Sequence, residues 1–112
     1  MPAEARAADP APVFAALGDP TRLALLARLS DGQARSIAGL SVGSSLTRQA
    51  LTKHLRVLEG AGLVVSERTG RETRFAYRPE PVQEARAYLD RVAAQWDDAL
   101  HRLRAFVQQP PR

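Results

Sequence analysis

Apolar residues recur three or four positions apart in several stretches of this chain, and that spacing predicts a mainly helical protein. The clearest helix start is Asp19 followed by Pro20, because aspartate favours the N-cap and proline the first turn. This helix would bury the apolar stripe Leu23, Leu26, Ala27 and Leu29. A weaker helix would span Arg35 to Val42, with Arg35 and Ser36 as its cap, and turn inward the residues Ile37, Ala38 and Leu40. The full set of predicted helices covers residues 10–17, 20–29, 35–42, 47–59 and 79–107.

Residues 63–78 interrupt the helical pattern with the period of two that is typical of β-strands. A turn at 69–71 would join the two strands, and Phe75 and Tyr77 alternate with polar neighbours and would pack the hairpin. The predicted fold class is therefore mainly α with a small β-hairpin (α+β). One domain would cover residues 10–107, between a disordered tail at 1–9 and a short tail at 108–112.

The helix at 47–59 separates an apolar face from a polar and basic face. Its apolar side consists of Leu46, Ala50, Leu51, Leu55 and Leu58. Thr47 is predicted as the N-cap, which would point the free N–H groups of that helix end toward phosphates. The opposite side carries residues that can bond base edges and phosphates in a major groove: Arg48, Gln49, Thr52, Lys53 and Arg56. The alternative is an ordinary surface helix with a solvated basic face.

The charge distribution favours the DNA-binding interpretation of this helix. The chain has 16 Lys and Arg against 12 Asp and Glu, a net charge of +4. Residues 47–78 hold seven basic and three acidic residues, so this segment alone accounts for the excess. Within it we expect Arg68, Arg71 and Arg74 of the hairpin to contact backbone phosphates or an adjacent minor groove. A neutral scaffold with one basic segment is typical of a nucleic-acid-binding protein.

The last predicted helix carries an apolar stripe longer than a domain of this size can cover. The stripe consists of Val82, Ala85, Leu89, Val92, Trp96, Leu100, Leu103 and Val107. A helix of roughly 26 residues is about 39 Å long at 1.5 Å per residue. We therefore expect a homodimer whose interface includes Val13, Phe14, Leu17, Leu89, Val92, Trp96, Leu100 and Leu103. The alternative, a helix folded over its own domain, leaves Trp96 and Leu103 poorly covered.

The composition excludes several classes of site. There is no cysteine, which excludes disulfides, thiol redox switches and thiolate metal sites. No apolar run approaches the ~20 residues of a membrane span, and the N-terminus lacks a signal-peptide core, so we expect a cytoplasmic protein with no membrane partner. The two histidines are far apart, and no glycine-rich phosphate loop is present. We therefore expect neither enzymatic activity nor a cofactor.

Three segments together resemble the ArsR/SmtB-type family of bacterial transcriptional repressors: FAALGDPTRLALLARL, LTRQALTKHLRVLEGAGLV and RTGRETRFAYR. The resemblance covers residues 14–107. It implies a winged helix-turn-helix with the recognition helix at 47–59 and the wing at 63–78. It also implies a homodimer that binds double-stranded operator DNA of two-fold symmetry and is released by an inducer, whose identity stays open here. In that family the position of His54 often faces DNA, which adds His54 to the expected contacts.

The sequence departs from the metal-sensing members of that family at both of their metal sites. The helix before the turn reads SIAGL at residues 36–40, where those members carry a cysteine pair. On the last helix Asp90 and His101 match ligand positions, but Arg104 stands where a further ligand would be. We therefore expect no metal site, with a metal-responsive repressor that uses the last helix as the alternative. A further alternative is an architectural DNA-binding protein or an adaptor that regulates no gene.

Overall fold

The computed structural model describes residues 9–109, which form five helices and three short strands. In chain order they are α1 (Ala11–Leu17), α2 (Pro20–Leu29), β1 (Arg35–Ser36), α3 (Ile37–Ser41), α4 (Arg48–Gly60), β2 (Val64–Thr69), β3 (Glu72–Tyr77) and α5 (Glu80–Val107). The predicted class, mainly helical with a small sheet, is confirmed. Of the two predicted tails, residues 1–8 and 110–112 lie outside the described residues.

A single arginine holds the corner between α1 and α2. Asp19 accepts a hydrogen bond from the backbone N–H of Arg22 at 3.0 Å, so the predicted N-cap is confirmed. The Arg22 side chain folds back and donates from Nε to the Ala16 carbonyl at 2.6 Å and from Nη2 to the Ala15 carbonyl at 3.3 Å. Carbonyls in the last turn of a helix have no partner within that helix. Arg22 therefore satisfies the end of α1 while belonging to α2, which sets the angle between the two helices.

The hydrophobic core lies where α1, α2, α4 and the sheet meet. Its most deeply buried side chains are Leu29, Leu40, Leu51, Leu55, Leu58, Leu63, Val64 and Phe75. The predicted stripe of α2 is partly wrong, because Leu23 is 51% exposed and Ala27 also faces outward. Leu25 takes their place, buried beside Leu26 and Leu29. The reason is that α2 packs against α1, α4 and β3 at once, so consecutive residues can both face a neighbour.

The hairpin belongs to a three-stranded antiparallel sheet in the order β1-β3-β2. Strand β1, which the sequence pattern did not predict, pairs Arg35 with Phe75 and Ser36 with Arg74. A two-residue strand has no alternation to detect, and only the tertiary pairing defines it. Because β1 leads directly into α3, this pairing attaches the helix-turn-helix to the sheet.

Helix α3 is shorter than the sequence predicts. It has five residues, and Ser36 caps it by accepting a hydrogen bond from the backbone N–H of Gly39 at 3.0 Å. Leu40 is fully buried, whereas Ala38, predicted to face inward, is exposed. Five residues make little more than one turn, so only one side of α3 reaches the core.

Helix α5 extends well beyond the core. Its 28 residues span about 42 Å at 1.5 Å per residue. Ala85, near its beginning, is its one buried residue. Every residue from 93 to 107 is exposed. Among the described residues, no helix combines the length and the apolar character needed to cross a bilayer.

Candidate nucleic-acid interface

Helix α4 packs one face on the core and turns the other to solvent. Thr47 Oγ1 accepts a hydrogen bond from the backbone N–H of Ala50 at 3.0 Å, so the predicted N-cap is in place. Leu51, Leu55 and Leu58 are buried on the inner face. The outer face forms a shallow open groove lined by Arg48, Gln49, Thr52, Lys53, Arg56 and Val57. The structure therefore brings together all five residues that the sequence predicts on the polar face.

Most of the polar side chains on this face are available to a partner. Within residues 9–109, the side chains of Arg48, Gln49 and Lys53 form no hydrogen bond or salt bridge, and all three are exposed. The Thr52 hydroxyl donates to the Arg48 carbonyl at 2.7 Å, which leaves its oxygen lone pairs free to accept. A helix face with two unengaged cations, an unengaged amide and a hydroxyl oxygen that can still accept has the donors and acceptors needed to bond base edges.

His54 points away from this face and into the junction of α4 with α2. Its Nδ1 lies 3.4 Å from Arg22 Nη1 and 3.8 Å from Asp19 Oδ2, and the side chain is half-buried. The same Asp19 carboxylate caps α2, and the hydrogen bond from the Arg22 backbone N–H, together with the nearby Arg22 charge, holds the pKa of this carboxyl below its usual value. The expectation that His54 contacts DNA is therefore corrected: in this structure the ring connects α4 to the α1–α2 corner.

Arg56 is engaged by the chain itself. Its Nη1 donates to Glu59 Oε1 at 2.7 Å, and its guanidinium carbon lies 5.4 Å from the centre of the Phe75 ring. The other carboxylate oxygen of Glu59 accepts a hydrogen bond from Ser66 Oγ on β2 at 2.5 Å. The hydrogen bonds from Ser66 and then Arg56 hold the pKa of Glu59 below its usual value, so this carboxylate is ionised at neutral pH. We call this set of four residues the α4–sheet bridge.

The three arginines of the wing differ in their surroundings. Arg74 Nη2 lies 3.2 Å from Glu72 Oε2, and the strand register places Glu67 directly opposite Arg74. Because alternate residues share a face, Arg74 lies beside two carboxylates. Arg68 projects from the other face of the hairpin, and Arg71 lies at the tip after Gly70. Within the described part of the chain neither of these two forms a salt bridge, so they are the better-placed wing cations.

Sequence reasoning missed the residues that join α4 to the sheet. The pairing of Arg56 with Glu59 has a visible signal, because residues three apart on a helix are neighbours. The contacts with Ser66 and Phe75 have none, because they depend on how the hairpin folds back onto α4. Val57, 45% exposed on the polar face, was also missed because apolar residues were assigned to the core.

The residues predicted for dimerisation fall into two groups. Val13 is buried in the core of its own protomer, so its assignment to the interface is corrected. Phe14 and Leu17 are partly buried against that core, and the Phe14 ring lies 6.2 Å from that of Tyr88 on α5. The other five are on α5, and four of them are strongly exposed: Leu89, Trp96, Leu100 and Leu103. The exposed part of α5 therefore carries an apolar stripe that its own protomer does not cover.

The possible metal ligands of α5 are sparse. His101 shares a shallow depression with Asp97, Leu100 and Arg104. Across residues 9–109, no group of three or more His, Cys, Asp or Glu side chains is close enough to hold a metal ion. The guanidinium of Arg104 adds a positive charge to the depression that contains His101.

Comparison with known proteins agrees with this architecture. A profile of the helix-turn-helix domain family matches residues 17–67. The HTH-type transcriptional regulator YuzN of Bacillus subtilis (strain 168) is 40% identical over 77 residues, which cover 63% of this chain and 84% of YuzN. The family profile therefore covers α2 to the first part of β2, and the similarity to YuzN extends over most of the length of that regulator.

Solved structures extend the match to most of the chain. An ArsR-like transcriptional regulator from Rhodococcus sp. RHA1 superimposes with a TM-score of 0.76 at 34% identity, covering 91% of this chain and 94% of that one. The homodimeric winged helix-turn-helix DNA-binding domain Mb0332 of Mycobacterium bovis gives a TM-score of 0.60 at 26% identity, over 76% and 78% of the two chains. The cadmium sensor CmtR of Mycobacterium tuberculosis gives a TM-score of 0.53 at 36% identity, over 65% of this chain and 75% of that one. The chain belongs to the ArsR family of winged helix-turn-helix transcriptional regulators.

Proposed function

We propose that this protein is a homodimeric, sequence-specific transcriptional repressor that acts on operator DNA in the bacterial cytoplasm. The observation that carries the proposal is the outer face of α4, where Arg48, Gln49 and Lys53 are exposed and unengaged within the described residues. In this proposal α4 enters the major groove, and Thr47 directs the N-terminal end of α4 toward the backbone. Arg68 and Arg71 of the wing contact phosphates or the adjacent minor groove.

The exposed stripe of α5 supports the dimeric part of the proposal. Trp96 is 66% exposed and Leu103 58% exposed in the single protomer, which is a large apolar area to leave in water. The M. bovis domain with the same fold is described as homodimeric. A two-fold dimer would present two copies of α4 to half-sites about 34–36 Å apart, one turn of B-DNA.

A genome-wide occupancy map in the source bacterium tests the proposed function. A repressor is expected to give a few sharp peaks at promoters, and deleting its gene should raise transcription from those promoters. Broad coverage would instead indicate an architectural DNA-binding protein. No occupancy would indicate an adaptor that uses the same fold to bind protein.

Replacing Arg71 with alanine is expected to weaken binding to specific and non-specific DNA by a similar factor. A phosphate contact carries no sequence information. A variant that lacks this contact releases fewer counterions from the DNA when it binds. The log–log dependence of affinity on salt should become shallower by about one unit for each wing in contact. Arg102→Ala removes the same charge from a distant exposed site and should leave the slope unchanged. A loss confined to the operator would mean that Arg71 contacts bases.

We expect that neither zinc, cadmium, arsenite nor an oxidant releases the protein from its operator. A metal shifts the DNA-binding equilibrium only if it binds one conformation better than the other, which requires several well-placed ligands. The chain has no cysteine, and the guanidinium of Arg104 lies beside His101. The measurement is a titration of the protein–operator complex with a metal panel and hydrogen peroxide. Release by micromolar zinc that His101→Ala abolishes would establish the metal-responsive alternative.

A further inference from the structure

The α4–sheet bridge joins α4, which would enter the major groove, to the hairpin, which would contact phosphates or the adjacent minor groove. The backbone already attaches the hairpin to α4 at one point, where the Leu63 N–H donates to the Leu58 carbonyl at 3.0 Å. The pairing of β1 with β3 and the buried side chains of Val64 and Phe75 hold the base of the hairpin on the domain. The hydrogen bond from Ser66 to Glu59 adds a second attachment three residues farther along the chain. Because this hydrogen bond links β2 directly to α4, it helps to set the angle of the hairpin relative to α4.

The wing tip is sensitive to that angle because it lies beyond the second attachment. Gly70 at the tip follows Ser66 by four residues, which is about 13 Å of strand at 3.3 Å per residue. If the hairpin tilted by about 15° at Ser66, a strand of this length would carry the wing tip roughly 3 Å away. An ionic hydrogen bond to a phosphate oxygen requires an N–O distance of about 2.7–2.9 Å, so a displacement of this size would break it.

Arg56 belongs to the same bridge by its contacts. Its guanidinium is bound to Glu59 on one side and lies over the Phe75 ring on another, and the Phe75 side chain is fully buried. Both partners hold the guanidinium toward the sheet. We infer that Glu59 is a positioning residue that sets the angle between the recognition helix and the wing, and that Arg56 serves this bridge instead of binding a phosphate. The inference rests on the proposed DNA-binding function.

Hydroxyl-radical footprints of Glu59→Ala and Ser66→Ala on the operator test the inference. Both variants are expected to lose protection at the outer positions, where the wings would lie, while the central major-groove protections persist. Loss of one charge-assisted phosphate contact lowers the affinity about ten-fold or more, and a dimer would lose two such contacts, one from each wing. Ser66→Thr keeps the hydroxyl donor and should retain the wild-type footprint. A Ser66→Ala variant with the wild-type footprint would contradict the positioning role.

Glu67→Ala is the matched control. It removes the same charge as Glu59→Ala, from the strand that carries Ser66, but Glu67 shares a face with Arg74 rather than with Ser66 and Phe75. Its footprint should be unchanged and its affinity equal to or slightly above that of the wild type.

Two further results would overturn the inference. If Glu59→Ala raised affinity and steepened the salt dependence, Glu59 would be masking Arg56, and Arg56 would be a phosphate ligand. If central and outer protections disappeared together, Glu59 would act on the whole fold rather than on the wing. Absence of any footprint from the wild-type protein would overturn the proposed function itself, which distinguishes the two failures.

Discussion

Replacing Trp96 with aspartate is expected to yield a folded monomer whose operator affinity is lower by about two to four orders of magnitude. Trp96 is 66% exposed in the protomer and lies near the middle of the apolar stripe of α5. A charge at that point would have to be buried without a partner in a helix-to-helix interface. The core is formed mainly by other elements, and α5 contributes to it only near its beginning, through Val82 and Ala85, so the protomer itself should stay folded.

Sedimentation at micromolar concentration measures the first part of this prediction. The wild type should sediment at twice the chain mass of 12.2 kDa, and Trp96→Asp at the chain mass. Ala94→Asp introduces the same charge two residues away on a different side of α5 and should remain dimeric. A wild-type protein that stays monomeric at this concentration would require another explanation for the exposed stripe.

The fold could be predicted from the sequence wherever one periodic pattern extends over a whole element. Helices α4 and α5 are within one or two residues of their predicted bounds, because each is long and amphipathic and has a recognisable start. The exceptions are short or have several neighbours. Strand β1 has two residues and exists only through its pairing with β3. Helix α2 buries Leu25 in place of Leu23 because three elements surround it, which a single-face pattern cannot describe.

The candidate site could be predicted as a list of side chains on one face of a helix, but not as a set of contacts. The spacing of Arg48, Gln49 and Lys53 determines which side of α4 they occupy, and the structure agrees. Whether a polar side chain is free depends on neighbours that are distant in sequence. His54 turns toward Asp19 and Arg22, more than thirty positions earlier in the chain. A helical pattern contains no information about such partners.

The double substitution Gln49→Ala with Lys53→Ala is expected to abolish the preference for the operator while leaving non-specific DNA binding largely in place. Gln49 can bond adenine with two hydrogen bonds and Lys53 can bond guanine, and each such contact contributes about 1–3 kcal/mol of discrimination. Loss of both removes about 2–6 kcal/mol per half-site, which lowers the ratio of specific to non-specific affinity by roughly thirty-fold or more. Competition binding with labelled operator and unlabelled random DNA measures this ratio directly.

The fold should be unaffected, because both side chains are exposed and neither is engaged within residues 9–109. An unchanged thermal unfolding midpoint and a dimeric mass would show that the substitutions impair operator recognition and leave folding and dimerisation intact. Gln83→Ala with Arg102→Ala removes one amide and one cation from exposed positions on α5, and this control should keep the full operator preference. If the double variant of α4 still protected the same operator as tightly as the wild type, the bases would be recognised by another surface. The free wing cations Arg68 and Arg71 would then be the next residues to test.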